Sequence, residues 1–227
     1  MIPPKNSLSS DRLERYGIYK RFQGITFASI EQRGLPAMSG FRSFYEDVLL
    51  YRDCMDEAVE RGEGLILSGS PGTLKTTLAV ALLRHHISKG KSGFLVDMPT
   101  LLDEVMGRWA TDRDGCARYE ERLRTTSLLV LDDFGCEQIR KGDTAMAKVS
   151  AILSERYNRC LSTILTTNLS IEELAATYSE RILDRLISTC VLLRADFPSL
   201  RERKPLHMYR GSLPEMGRMN SLSKKLR

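Results

Sequence analysis

The apolar run Leu65-Ile66-Leu67 leads into Gly69-Ser-Pro-Gly-Thr-Leu-Lys75-Thr76-Thr77, and a helical pattern, Leu78, Ala79, Leu82, Leu83, leaves it. A buried strand passing through a glycine-containing turn straight into a helix commits the chain to an α/β fold. It also places the loop at a helix N-terminus, where successive N–H groups and the positive end of the helix dipole face an anion. The spacing predicts a phosphate-binding loop built from Gly69, Ser70, Pro71, Gly72, Thr73, Leu74, Lys75, Thr76 and Thr77. In such a loop Lys75 reaches the β- and γ-phosphates and the Thr76 hydroxyl holds Mg²⁺. Leu74 departs from the pattern, since glycine usually precedes the lysine. If φ is positive there, a β-carbon costs about 1–2 kcal/mol.

The second chemical landmark is Ser127-Leu-Leu-Val-Leu-Asp132-Asp133-Phe-Gly135, an apolar strand ending in two carboxylates. Downstream of a phosphate loop, the first acid supports the Mg²⁺ shell and the next orients the attacking water. Gly93–Asp97, Ser162–Asn168 and Cys190–Arg194 read as further strands, and Asn168 ends one of them. Asn168 is placed either to touch the γ-phosphate or the water, or to cap the helix opening at Ser170. Five apolar strands separated by helical segments predict a parallel sheet with helices on both faces. Ligands of such sheets bind beyond the strand C-termini, where the loop, Asp132, Asp133 and Asn168 all fall.

With 227 residues, 42% of them hydrophobic, the chain is expected to form one main domain. The expected division is an N-terminal extension over 1–40, partly disordered and a candidate partner-binding segment, a core over 41–205 and a basic tail over 206–227. No apolar run approaches the ~20 residues that span a bilayer, and the N-terminus lacks a secretory apolar region; a cytoplasmic protein is expected. Cys54, Cys116, Cys136, Cys160 and Cys190 form no C-x-x-C pair and are expected to be reduced and mostly buried. His85 and His86 are adjacent on a helix, point about 100° apart and are given no chemistry.

The net charge of +5 is concentrated at the C-terminus, where eight Lys/Arg stand against Glu202 and Glu215 from Arg201 onward. That stretch reads either as a solvated tail or as a contact for nucleic-acid phosphates. Tyr16, Tyr19, Phe22 and Phe27 alternate with Arg15, Lys20 and Arg21, a pattern that packs on a neighbouring domain, borders an adenine or stacks single-stranded bases. A helix is expected from Phe41 to Arg61, stopped by Gly62. Two polar helices are expected over about 99–124, the first with an apolar stripe of Leu101, Leu102, Val105, Met106 and Trp109. They carry Arg108, Arg113, Arg118, Arg122 and Arg124, readable as a DNA-contacting face or as a solvated one interleaved with acids.

Over roughly residues 20–203 the chain resembles the DnaC/IstB branch of the AAA+ ATPases, the helicase loaders and transposition helper ATPases. The resemblance rests on Leu-Leu-Val-Leu-Asp132-Asp133-Phe-Gly135, on Thr166-Thr167-Asn168-Leu-Ser170, and on Glu180-Arg181-Ile-Leu-Asp184-Arg185-Leu186 followed by Ser199-Leu200-Arg201. It implies an AAA+ P-loop NTPase with ATP and Mg²⁺ as cofactors. Lys75 and Thr76 then belong to Walker A, Asp132 and Asp133 to Walker B, and Asn168 is sensor 1. Arg185 is the arginine finger, acting in trans in a ring or helical oligomer, and Arg201 the sensor-2 arginine; for Arg185 the alternative is an ordinary helix salt bridge to Glu180 or Asp184. The helices at 99–124 occupy the initiator-specific insertion that helps line a single-stranded DNA channel. The function implied first is an ATP-dependent loader of a replicative helicase that assembles on DNA, single-stranded by preference. Alternatives are a transposition helper that polymerises on DNA and recruits a transposase, and a scaffold that has lost hydrolysis through Leu74.

Overall fold

A computed structural model describes residues 8–107, 112–136 and 144–201. Helix α1 (Ser10–Arg15), a 3₁₀ turn (Lys20–Phe22), α2 (Phe27–Gln32), α3 (Ser39–Asp53) and α4 (Met55–Glu60) precede the first strand, β1 (Gly64–Gly69). Then follow α5 (Lys75–Ser88), β2 (Gly93–Asp97), α6 (Met98–Gly107), α7 (Arg113–Thr125), β3 (Leu128–Asp132) and α8 (Thr144–Asn158). The chain continues through β4 (Ser162–Thr167), α9 (Ile171–Thr177), α10 (Glu180–Thr189) and β5 (Cys190–Ala195). Trp109, Arg108 and the tail 206–227 lie outside the described residues. No helix among the described residues is long and apolar enough to cross a membrane.

The five strands form one parallel sheet in the order β2-β3-β4-β1-β5. Alternation along each strand splits the apolar side chains between two cores. Leu65, Leu67, Leu95, Leu128, Val130 and Ile164 join α3, α4 and α5 on one face. Ile66, Phe94, Val96, Leu129, Leu131 and Leu165 join α6, α7, α8, α9 and α10 on the other. Strands β1 to β4 are buried along almost their whole length, and β1, β2 and β3 read as apolar runs in the sequence, while β5 at the edge is partly exposed.

The segment before residue 41 shares the first core. Leu13, Ile18, Ile25, Phe27 and Ile30 are buried in it, so the stretch from Leu13 to Ile30 packs against the first layer. Their anchor is the edge of β2, where the Leu95 N–H donates to the Tyr16 carbonyl at 2.9 Å. Gly17, with φ 77°, makes this approach possible, because a β-carbon there would stand 1.8 Å from the Leu95 carbonyl oxygen. The helix expected from Phe41 to Arg61 is broken into α3 and α4 at Cys54, whose φ and ψ are −99° and 9°. No disulfide joins the cysteines among the described residues, and only Cys116 is buried; Cys54, Cys136 and Cys160 are exposed and lie beyond helix or strand ends where the chain turns at the surface.

Candidate functional site

The loop after β1 is shaped by two residues of positive φ, Gly72 at 88° and Leu74 at 64°. At Gly72 a β-carbon would lie 2.0 Å from Ser199 Oγ. Glycine therefore lets the segment after β5 cross the loop, and the Leu200 N–H donates to the Gly72 carbonyl at 2.9 Å. That crossing delivers Arg201 to the cleft. Leu74 takes the left-handed conformation at the N-cap of α5, with ψ 13°. The positive φ that the missing glycine would have supplied freely is thus adopted by leucine, whose half-buried side chain packs against the first core.

Lys75 opens α5 and is buried. Its Nζ donates to Gly69 O at 2.6 Å, Ser70 O at 2.9 Å and Asn168 Oδ1 at 2.9 Å. Burial lowers its pKa, opposed by the charges of Asp133 and Asp132. Asn168 is free for this contact because Ser170 caps α9 itself, in a reciprocal pair with Glu173. The Thr76 hydroxyl donates to Asp132 Oδ1 at 2.8 Å, and Thr166 Oγ1 lies 2.5 Å from the same oxygen. Burial raises the Asp132 pKa, and the two hydroxyl donors work against that rise. Asp133, at φ 54°, turns away from the strand; its N–H is held by Thr166 Oγ1 at 3.0 Å while its carboxylate lines the cleft.

The loop from Pro71 to Thr77, Asp133 and Asn168 line a cleft of about 400 Å³ with Arg21, Phe22, Ile25, Arg33 and Arg201, and Asp132 and Thr166 stand behind it, bonded to Thr76 and Asp133. The loop backbone and Lys75 bring N–H groups to this cleft, and Phe22 and Ile25 add apolar lining. Such a pairing suits a phosphorylated ligand with a flat apolar body. The adjacent hydroxyl of Thr76 and carboxylate of Asp132 are hard oxygen donors of the kind Mg²⁺ prefers, so the residues fit that ion. Ile25, Arg33 and Thr166 were missed as site residues in the sequence. Thr166 sits in the quoted Thr-Thr-Asn run, but Ile25 and Arg33 reach the cleft only through the fold of the N-terminal segment.

Two other groups of predicted residues behave differently. Arg185 is absent from this cleft and lines a second one, of about 420 Å³, with Arg61, Leu153, Tyr157, Ile182 and Leu186. In the α6–α7 pair, Arg124 is held by Glu120 at 3.1 Å and Glu155 at 2.6 Å, while Arg122 stacks 3.9 Å over Phe94 and donates to the Arg15 carbonyl. Those two arginines are committed within the chain. Arg113 and Arg118 are exposed and have no partner among the described residues.

The model of the family described as IstB-like ATP binding protein matches residues 54–207. The chain belongs to this family. Within it, the chain is 26% identical over 121 residues to the replicative helicase loader DnaC of Escherichia coli K12, covering 53% of this chain and 49% of that protein. It is 28% identical over 153 residues to an insertion sequence IS21 putative ATP-binding protein of Pseudomonas aeruginosa, 64% of this chain and 56% of that one. The chain spans about half the length of the DnaC relatives it matches. A crystal structure of the DnaC helicase loader superposes with a TM-score of 0.67 at 26% identity, over 78% of this chain and 99% of that one. The fold of this IstB/DnaC-like chain is the AAA+ P-loop fold.

Proposed function

We propose that the chain binds and hydrolyses ATP and uses that cycle to assemble on DNA and load or remodel a replicative helicase. The observation that carries the ATPase reading is the convergence of three strand ends on one hydrogen-bonded cluster: Lys75 to Asn168 at 2.9 Å and Thr76 to Asp132 at 2.8 Å. In this reading the loop from Gly69 to Thr77 cradles the triphosphate and Lys75 reaches its β- and γ-phosphates. Asp133 orients the water, which attacks the γ-phosphorus as the bond to the bridging oxygen breaks and ADP leaves. Asn168 and Arg201 contact the γ-phosphate from two sides. Thr76 and Asp132 would hold Mg²⁺, which would offset negative charge on the triphosphate. Arg185, remote from the cleft of its own subunit, completes a neighbour's site in a ring or helical assembly. DNA, preferentially single-stranded, is contacted by Arg113, Arg118 and the basic residues beyond Arg201.

The likeness to DnaC over nearly the whole of that solved chain supports the helicase-loader partner. The IS21 relative, matched over more of this chain than the DnaC relative is, supports a second reading as a transposition helper that recruits a transposase. Hydrolysis is favoured over a scaffold role because Leu74 already holds the loop in the left-handed turn. Titration with a fluorescent ATP analogue and Mg²⁺ tests the shared core: micromolar binding that disappears in Lys75→Ala is expected, and a folded chain with no binding at millimolar nucleotide refutes it. Co-sedimentation with a replicative helicase and, separately, with an IS21-type transposase then decides the partner.

A further inference from the structure

Arg185 is held in a way unlike the other arginines around it. Its Nη1 is buried and has no acceptor, and it takes part in no ion pair among the described residues. Glu180 and Asp184 on its own helix are exposed and leave it unbonded. Glu155 on α8 is committed elsewhere, to Arg124 at 2.6 Å and Arg159 at 2.6 Å. The neighbour Arg185 does have is the ring of Tyr157, with the guanidinium carbon 5.3 Å from the centroid. Its backbone is also braced: the hydroxyls of Ser188 and Thr189 donate to the Arg185 carbonyl at 3.0 and 2.8 Å.

A buried guanidinium N–H without an acceptor is costly, and a chain surrounded by carboxylates would ordinarily satisfy it with one. A carboxylate partner would compete with any phosphate that Arg185 is to meet. An aromatic face orders the side chain through a much weaker attraction and leaves the guanidinium without a competing acceptor. We infer that Tyr157 is a positioning residue for Arg185: its ring presents the guanidinium, uncommitted, to the triphosphate bound by a second copy of this chain. The inference rests on the reading of Arg185 as acting in trans.

Hydrolysis measured at saturating ATP and at protein concentrations that support assembly tests it. Tyr157→Ala is expected to lower kcat by about 2- to 5-fold, the range set by a cation–π contact, with KM for ATP and nucleotide affinity of the single subunit unchanged. Tyr157→Phe, which keeps the ring, restores the rate. In an Arg185→Ala background Tyr157→Ala costs nothing further. Because Tyr157 is 41% exposed, its truncation leaves the melting temperature unchanged. A full rate in Tyr157→Ala beside a reduced one in Arg185→Ala overturns the inference and spares the trans reading. A normal rate in Arg185→Ala overturns both. A Tyr157→Phe rate as low as that of Tyr157→Ala, or a loss that persists in the double variant, assigns Tyr157 some other role and also overturns it.

Discussion

Leu74→Gly measures what the unusual loop residue costs. Leu74 sits at φ 64° and ψ 13°, so glycine there relieves about 1–2 kcal/mol of left-handed strain. The leucine side chain is half-buried against the first core, and losing that contact removes about 1 kcal/mol. The two nearly cancel. Glycine should move the melting temperature by no more than about 4 °C in either direction. Leu74→Ala keeps the strain and loses the packing, and should melt about 2–4 °C below the natural chain. The chemistry should move as little, because the loop N–H groups already point where the left-handed turn sends them; ATP affinity and kcat in Leu74→Gly should stay within about 3-fold, a change below 1 kcal/mol. Thermal melting, fluorescent-nucleotide titration and phosphate release on the three proteins give the answer. A gain of about tenfold or more in Leu74→Gly would show that the β-carbon obstructs the phosphate and would refute this account of the loop.

Other residues give equally definite expectations. Arg156 is 1% exposed and donates to Thr163 Oγ1 and to the carbonyls of Leu123, Thr126 and Ser162, with burial pushing its pKa down to about 9. Arg156→Met should strip those acceptors of their donor, cost about 3 kcal/mol and lower the melting temperature by about 6–12 °C; a loss under about 2 °C would mean the carbonyls find other partners. His86 is buried and neutral, its Nε2 between Ser92 O at 3.1 Å and Ser127 Oγ at 2.8 Å, and burial lowers its pKa to about 4. Its folded pKa lies below its unfolded value, so its contribution is intact above pH ~6.5 and is lost as pH falls toward 4, by about 3 kcal/mol. Urea midpoints across that range should fall more for the natural chain than for His86→Asn, and parallel curves would refute the assignment. Lys75→Ala should abolish nucleotide-dependent assembly, read by light scattering with and without ATP; unchanged assembly would remove the loop from the process.

The parts of the site that the sequence displays are those set by local pattern. Leu65 to Lys75 announces strand, turn and helix within a dozen residues, and Asp132 and Asn168 each follow an apolar run whose end is easy to see. Residues that act through distant contacts gave no such signal. Arg156 looks like any surface arginine of a helix until β4 and the end of α7 close around it. Ile25 and Arg33 enter the cleft through the seating of the N-terminal segment, which combines the burial of Leu13, Ile18, Ile25 and Phe27 with the Leu95–Tyr16 backbone hydrogen bond that Gly17 permits. The basic character of α7 was legible, but the spending of Arg122 on Phe94 and of Arg124 on two glutamates depended on which faces meet. Whether Leu74 adopts the left-handed turn likewise could not be read from residue types, since strain and packing of similar size oppose each other there.

Lys75 Nζ is shared among the Gly69 and Ser70 carbonyls and Asn168 Oδ1. A phosphate that drew Nζ to itself would exchange contacts more than add them. Such an exchange would take one tie from the junction between β4 and α9 and leave two, the Leu169 N–H to Thr167 Oγ1 at 3.1 Å and the Ser68 hydroxyl to the Leu169 carbonyl at 2.8 Å. Helix α10, which carries Arg185, follows α9 after only Tyr178 and Ser179. Lys75 is in this sense a clasp between the loop and the end of β4, one short helix away from the helix that carries Arg185.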